Sequence, residues 1–178
     1  MNKTFIAIGD VHLGAVPFGI QDLGEDIKQA FVDVCKLAIT KKVDCLVIAG
    51  DLYDSRKPDE DLVSLVTSLF ARLKAAGVEV LGIPGDHDKP LPNGKSWIND
   101  VNGAKGSNES IRGVYYTDYR DLKDYFTVSA LDAYKDTEWL FMHGQTVELF
   151  PFTEEKKDLK LGEFPYERFP KLKGIILG

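Results

Sequence analysis

Apolar positions in the first half of the chain alternate between two periods. Phe5 to Ile8 form a short apolar run that reads as a strand. Ile27, Ala30, Phe31, Val34, Leu37 and Ala38 then fall at helical spacing, which predicts a helix with one apolar face. Val43 to Ala49 is a nearly continuous apolar run, barely interrupted by Asp44 and Cys45, as expected of a strand covered on both faces. Leu62, Leu65, Val66, Leu69 and Leu73 repeat the helical period, Gly77 stops that helix, and Val78 to Ile83 form a third strand. Strand, helix, strand, helix, strand is the order of parallel βαβ units, so the fold class is α/β.

From Lys89 to Gly113 the periodicity gives way to Pro, Gly, Asn, Ser and Lys, with Trp97 and Ile98 the only bulky apolar pair. This predicts a long polar loop over 89–113, of the kind more often a lid or a disordered excursion than a plain connection. Val114 to Tyr116, Phe126 to Leu131 and Trp139 to Met142 read as shorter strands, the last delivering His143 and Gly144. The α/β pattern here passes into a β-rich half. Phe164 to Leu172, with two prolines, makes a poor helix, and Gly174 to Leu177 is a further apolar strand.

With 178 residues, 44% hydrophobic and 28% charged, the chain has material for one sizeable core, and 1–178 is read as one domain. A net charge of -6 argues against holding nucleic acid by bulk electrostatics, while leaving room for a local basic rim around an acidic pocket. Cys35 and Cys45 lack metal-ligand spacing and read as buried, reduced thiols, which fits a cytoplasmic protein. The amino terminus does not resemble a signal peptide, and no apolar run approaches membrane-spanning length, so no membrane partner is expected.

Three clusters follow the three predicted strands: GDVHLG from Gly9, GDLYD from Gly50 and GDHD from Gly85. Groups at the carboxyl ends of strands in an open α/β sheet converge on one crevice. Asp10 and His12 are two residues apart, so an extended backbone would point both to the same side. Taken singly, an Asp after a strand is a turn residue or cap, and a His is polar surface. Taken together, all three histidines of the chain, His12, His87 and His143, lie at predicted strand exits beside Gly or Asp. Carboxylate and imidazole ligands without thiolate favour Mn²⁺, Fe²⁺ or Zn²⁺ and argue against Ca²⁺.

The ordered set Asp10-Val-His12, Gly50-Asp51, Gly85-Asp86-His87-Asp88 and His143-Gly144 resembles the signature of the calcineurin-like metallophosphoesterases. Asp10 to Gly14 as DVHLG, Ala49 to Pro58 as AGDLYDSRKP, and Ile83 to Asp88 as IPGDHD are similar within it to the SbcD-type DNA repair nucleases. The resemblance implies a two-sheet α/β sandwich flanked by helices, four layers in the order α/β/β/α. It implies two divalent metal ions, Mn²⁺ first, with Fe²⁺, Zn²⁺ or Mg²⁺ as alternatives, and hydrolysis of DNA phosphodiester bonds in repair or recombination. Carried over by position, it makes Asp10 and His12 ligands of the first metal, Asp51 the bridging ligand, and Asp86 and His143 ligands of the second. His87 would be the acid, with Asp88 fixing its ring; a turn-capping carboxylate is the other reading of Asp88. An ATPase subunit of SbcC-like type and a homodimer are the implied partners besides DNA.

Two departures qualify the match. The family usually has Asn where this chain has Asp86, and an ionised carboxylate cannot donate a hydrogen bond to phosphate as an amide does. Reduced turnover with retained metal binding is therefore expected. The family also places a Gly-x-His or His-x-His block after a strand resembling Gly174 to Gly178, so the chain is expected to be truncated at its C-terminal end, with metal occupancy partial or confined to one site.

Arg56, Lys57, Lys89, Lys95, Lys105 and Arg112 are candidates for a rim meeting DNA phosphates, and Tyr53, Trp97, Tyr115 and Tyr116 for base stacking, against surface and core as the plainer readings. Two functional alternatives stand beside the nuclease. One is a phosphomonoesterase or cyclic-nucleotide phosphodiesterase with the same centre; the other is a catalytically inactive binding scaffold.

Overall fold

The computed structural model describes residues 4–88, 97, 101, 110–114, 136–143 and 169–178. In chain order the elements are β1 (Phe5–Ile8), a short 3-10 turn (Pro17–Gly19), α1 (Gln21–Lys41), β2 (Cys45–Ala49), α2 (Glu60–Ala75) and β3 (Glu79–Ile83). Three further strands follow: β4 (Ile111–Val114), β5 (Trp139–Met142) and β6 (Gly174–Leu177). They form two three-stranded sheets, β1-β2-β3 and β4-β5-β6, parallel throughout.

The continuous apolar run of β2 has its explanation in the two layers that cover it. Leu46 and Ile48 pack with Phe31, Cys35 and Ala38 of α1 and with Leu62, Val66, Leu69, Phe70 and Leu73 of α2. Cys45, Val47 and Ala49 point the other way, into a second core with Leu81, Ile83, Ile111, Leu140, Phe141 and Met142. Alternate residues of one strand thus serve two cores, and the first sheet lies between helices and the second sheet. This is the α/β sandwich the resemblance implies, with three of its four layers among the described residues.

The inward face of α1 differs from the predicted one. Cys35 is buried with Phe31 and Ala38, whereas Ala30 and Leu37 are exposed. A stripe only about 100° wide turns inward on such a helix, and Leu37 lies outside it. Helix α2 follows the prediction and adds Phe70. Gly77 ends that helix region at φ 80°, which only glycine adopts freely. Strand β4 starts at Ile111, earlier than the predicted Val114, so residues 111–113 are strand where a loop was expected. Tight packing explains the shift: a methyl on Gly113 would meet the Phe141 ring and Ile83, a closeness that apolar periodicity does not register. The predicted strand over 126–131 lies outside the described residues, as does most of the 89–113 loop. Neither cysteine forms a disulfide, and both are buried. Among the described residues no helix is long and apolar enough to cross a membrane.

Candidate metal centre

Strands β1, β2, β3 and β5 deliver the motif residues to one end of the sandwich. The main-chain pairing of β1 with β2 continues past both strands: Asp10 N–H donates to Gly50 O, His12 N–H to Asp51 O and Leu13 N–H to Leu52 O. Asp54 N–H closes this run by donating to Leu13 O at 3.0 Å. Within it Asp10, His12 and Asp51 hold φ of 50°, 51° and 46°. The backbone is therefore left-handed there and not extended, which corrects the expected reason for Asp10 and His12 sharing a side. Such conformations cost an L-residue roughly 1–3 kcal/mol each and persist where surrounding bonds over-determine them.

Asp51, 3% exposed, sits at the centre. Its Oδ2 lies 3.7 Å from His12 Nε2 and 3.3 Å from His143 Nε2, and its Oδ1 accepts the His87 main-chain N–H at 2.8 Å. Glycines make room for this crowding. A methyl on Gly50 would overlap the His143 ring, and one on Gly85 would overlap the Asp51 carboxylate. On Gly9 a methyl would stand 2.8 Å from Gly178 Cα, so the ends of β1, β2 and β6 meet beneath the site.

The other ring nitrogens are occupied. His143 Nδ1 is 3.2 Å from Ala49 O and His12 Nδ1 is 3.0 Å from Asp54 Oδ1. A carbonyl and a carboxylate only accept, so each Nδ1 carries the proton and each Nε2 turns toward Asp51. Two imidazole lone pairs aimed at one carboxylate repel it unless a proton or a cation stands between them. Burial pulls the His143 pKa down, yet its hydrogen bond and charge interaction with Asp51 outweigh that and raise it above the ordinary value. Burial likewise opposes the Asp51 charge, and the hydrogen bonds from His143 and the His87 N–H still hold its carboxyl below the ordinary range. The donor set fits a divalent cation.

Among the described residues two groups bring their ligand atoms within 4.8 Å of one another: Asp10, Asp51 and His143, and His12, Asp54 and His87. His12 Nε2 is also 4.0 Å from Asp10 Oδ1, which joins the groups. Asp86, half-buried one residue before His87, belongs to neither.

The expected contact between Asp88 and the His87 ring is corrected. Asp88 is 3% exposed, and its oxygens accept from Gly85 N–H at 2.7 Å, Tyr53 N–H at 3.1 Å and Trp97 Nε1–H at 2.7 Å. Burial raises its pKa against those bonds. It clamps the loop carrying Asp86 and His87, close to the turn-capping reading. The carboxylate at the His87 ring belongs to Asp54, whose Oδ1 is 3.6 Å and main-chain oxygen 3.2 Å from His87 Nδ1. Asp54 is the last residue of GDLYD, and its place three residues after Asp51 is the only sequence signal of its position beside both histidines.

Arg56 and Lys57 are exposed as a rim requires, but Arg112 is buried in β4, and Tyr53 and Trp97 belong to the core. Trp97 packs over Gly82, where a methyl would overlap its ring. Lys89, Lys95, Lys105, Tyr115 and Tyr116 lie outside the described residues.

Parallel two-sheet architecture and a carboxylate and histidine centre at the strand exits together define a phosphoesterase, and the family model of the calcineurin-like phosphoesterases matches residues 3–173. The chain belongs to that family, whose members are hydrolases that use divalent metal ions. Curated relatives include the DNA double-strand break repair protein Mre11 of Aeropyrum pernix, 39% identical over 83 residues, covering 47% of this chain and 20% of the relative. Those of Methanopyrus kandleri and Thermoplasma acidophilum are 25% and 28% identical, covering 68% and 88% of this chain. The matches span 26% and 46% of those two relatives, so the chain corresponds to less than half the length of each.

Proposed function

We propose that the chain is the nuclease domain, over residues 1–178, of a DNA repair enzyme that hydrolyses phosphodiester bonds with two divalent ions. Asp10, His12, Asp51, Asp86 and His143 would hold the ions, Mn²⁺ first among the candidates. The observation that carries this reading is the convergence of the His12 and His143 Nε2 atoms on the buried Asp51 carboxylate. When bound, the ions supply Lewis acidity, a lowered water pKa and neutralisation of phosphate charge.

The chain's own residues supply the rest. Asp51 stays ionised between two imidazoles. His87, half exposed at the mouth, keeps its Nδ1 proton on the Asp54 carbonyl and delivers a second proton from Nε2 to the departing oxygen. Asp88 holds the His87 loop in place. Arg56 and Lys57 offer charge to DNA phosphates beside the Asp51 motif. Similarity to Mre11 DNA double-strand break repair proteins supports DNA as substrate, the SbcD resemblance supports an SbcC-like ATPase partner and a homodimer, and the thiols of Cys35 and Cys45 support a cytoplasmic setting.

The test is Mn²⁺-dependent cleavage of end-labelled double-stranded DNA, abolished by EDTA and by His87→Ala. Preference for nitrophenyl phosphate over DNA would instead favour a phosphomonoesterase. DNA binding without turnover, even in Asp86→Asn, would favour a binding scaffold.

A further inference from the structure

Three of the five large apolar side chains that stand exposed among the described residues lie in one stretch: Val16, Phe18 and Ile20. They flank the 3-10 turn that leads into α1. Gly19 N–H donates to Val16 O and Ile20 N–H to Pro17 O, both at 3.0 Å, so the turn is closed by its own main chain. Within it Phe18 holds φ 55° and ψ 18°, the left-handed region, where a bulky side chain is an outlier. Such strain clusters at functional positions. At 96% exposure the ring gains almost no packing in return. One exposed apolar side chain needs no explanation, but three on a closed turn make a fixed apolar projection.

Beside this turn a groove of about 610 Å³ opens between the first turns of α1 and α2. Val16, Leu62 and Leu65 give it apolar walls, and its acids are Glu25, Asp59, Glu60 and Asp61. Lys28, the one cation lining it, is bonded to Glu25 at 2.6 Å. Acids at the start of α2 complement the positive end of that helix, yet Glu25 belongs to the other helix and lines the same opening. Gly24 lets the loop lie against α1, since a methyl there would stand 2.7 Å from Ala15 O.

We propose that the Phe18 turn and this groove form a docking surface for a basic amphipathic segment of a partner protein. Its apolar side chains would lie on Val16, Phe18 and Ile20, and its Lys or Arg residues against Asp59, Glu60 and Asp61. Charge decides between occupants. A nucleic acid could stack on Phe18, but its phosphates would meet the acids of the groove. A second copy of this chain, with its net charge of -6, would bring like charge to the same rim. An amphipathic helix with a cationic flank satisfies both the apolar turn and the acids. Gly14 and Ala15 of the groove come two and three residues after His12, so a seated partner would stand beside the candidate metal centre.

The experiment offers the whole chain, in EDTA, three short fluorescein-labelled helical peptides and reads anisotropy. One carries Leu at i, i+3, i+4 and i+7 with Lys elsewhere; the second has Glu for Lys, and the third has Ser for Leu. The Leu/Lys peptide is expected to bind, the Leu/Glu peptide to show no binding, and the Lys/Ser peptide to bind roughly 10-fold more weakly. F18G removes ring and strain together, so it should melt no lower than wild type and yet lose affinity for Leu/Lys roughly 10-fold. E60K should lose a similar factor, whereas D33K, the same charge change on an exposed part of α1 outside the groove, should keep wild-type affinity. Absence of Leu/Lys binding, equal binding of Leu/Glu, or wild-type affinity in folded F18G and E60K overturns the proposal. A clear loss of stability in F18G places the ring within the fold and overturns it too. So does a dimer in sedimentation that F18G dissolves, or a DNA duplex whose binding F18G abolishes, because the turn then serves a second copy or a nucleic acid.

Discussion

Asp51 Oδ2 and His143 Nε2 stand 3.3 Å apart, joining the exit of the first sheet's central strand to that of the second sheet's central strand. This pair ties the two halves of the sandwich at the site, and it does so through a proton when no cation is bound. The His143 pKa is raised above 6.5, so its contribution to stability is complete below 6.5 and is lost as pH rises through the folded value. The Asp51 pKa is lowered from 3.8, so its contribution is complete above 3.8 and is lost as pH falls through its folded value. In metal-free protein the melting temperature of wild type should exceed that of H143Q most between those two pH values, and the gap should narrow on the alkaline side. Divalent metal should remove the narrowing and release protons on binding, measurable by calorimetry in buffers of different ionisation enthalpy.

Asp88 satisfies three donors inside the protein, two main-chain amides and the Trp97 indole. D88A leaves them buried without an acceptor and should cost roughly 3 kcal/mol in urea unfolding. W97F removes one donor and little volume, so about 1 kcal/mol is expected. Neither should change the tautomer of His87, since Asp88 is bonded elsewhere.

Asp86 adds negative charge where the family usually has an amide. D86N should raise turnover on DNA and lower the affinity for Mn²⁺, because a neutral ligand leaves the ions stronger Lewis acids and repels phosphate less. Steady-state kinetics on both proteins decides it; equal or lower turnover in D86N refutes the electrostatic argument.

Gly50 stands at φ 87° with the His143 ring where its side chain would be. G50A should destabilise the fold by about 1–3 kcal/mol from backbone strain alone and push His143 aside. The result should be a lower denaturation midpoint together with weaker metal binding, whereas G77A, strained but with open space around it, should lose stability without losing metal.

Burial pushes the Cys35 thiol up to about 12. Alkylation of Cys35 by iodoacetamide at neutral pH should therefore follow the unfolding rate and be negligible in native protein.

The elements of the first half were legible because β1, α1, β2, α2 and β3 each carry a period that burial on one or both faces imposes. Asp10, His12, Asp51, His87 and His143 were legible as candidates because each follows such an element beside Gly or another acid. The start of β4 was less so, since Arg112 and Gly113 break its apolar run and its packing depends on Phe141 of a distant strand. What the linear pattern did not contain was orientation. It placed Asp88 next to His87 in the chain, but the loop turns that carboxylate inward to Trp97 and brings Asp54 to the ring instead. It suggested an extended backbone at Asp10 and His12, where pairing to the β2 exit imposes left-handed turns. Periodicity follows from local geometry and burial and can be read along one chain; which acid meets which imidazole depends on loops packed across sheets, and only the tertiary structure decides that.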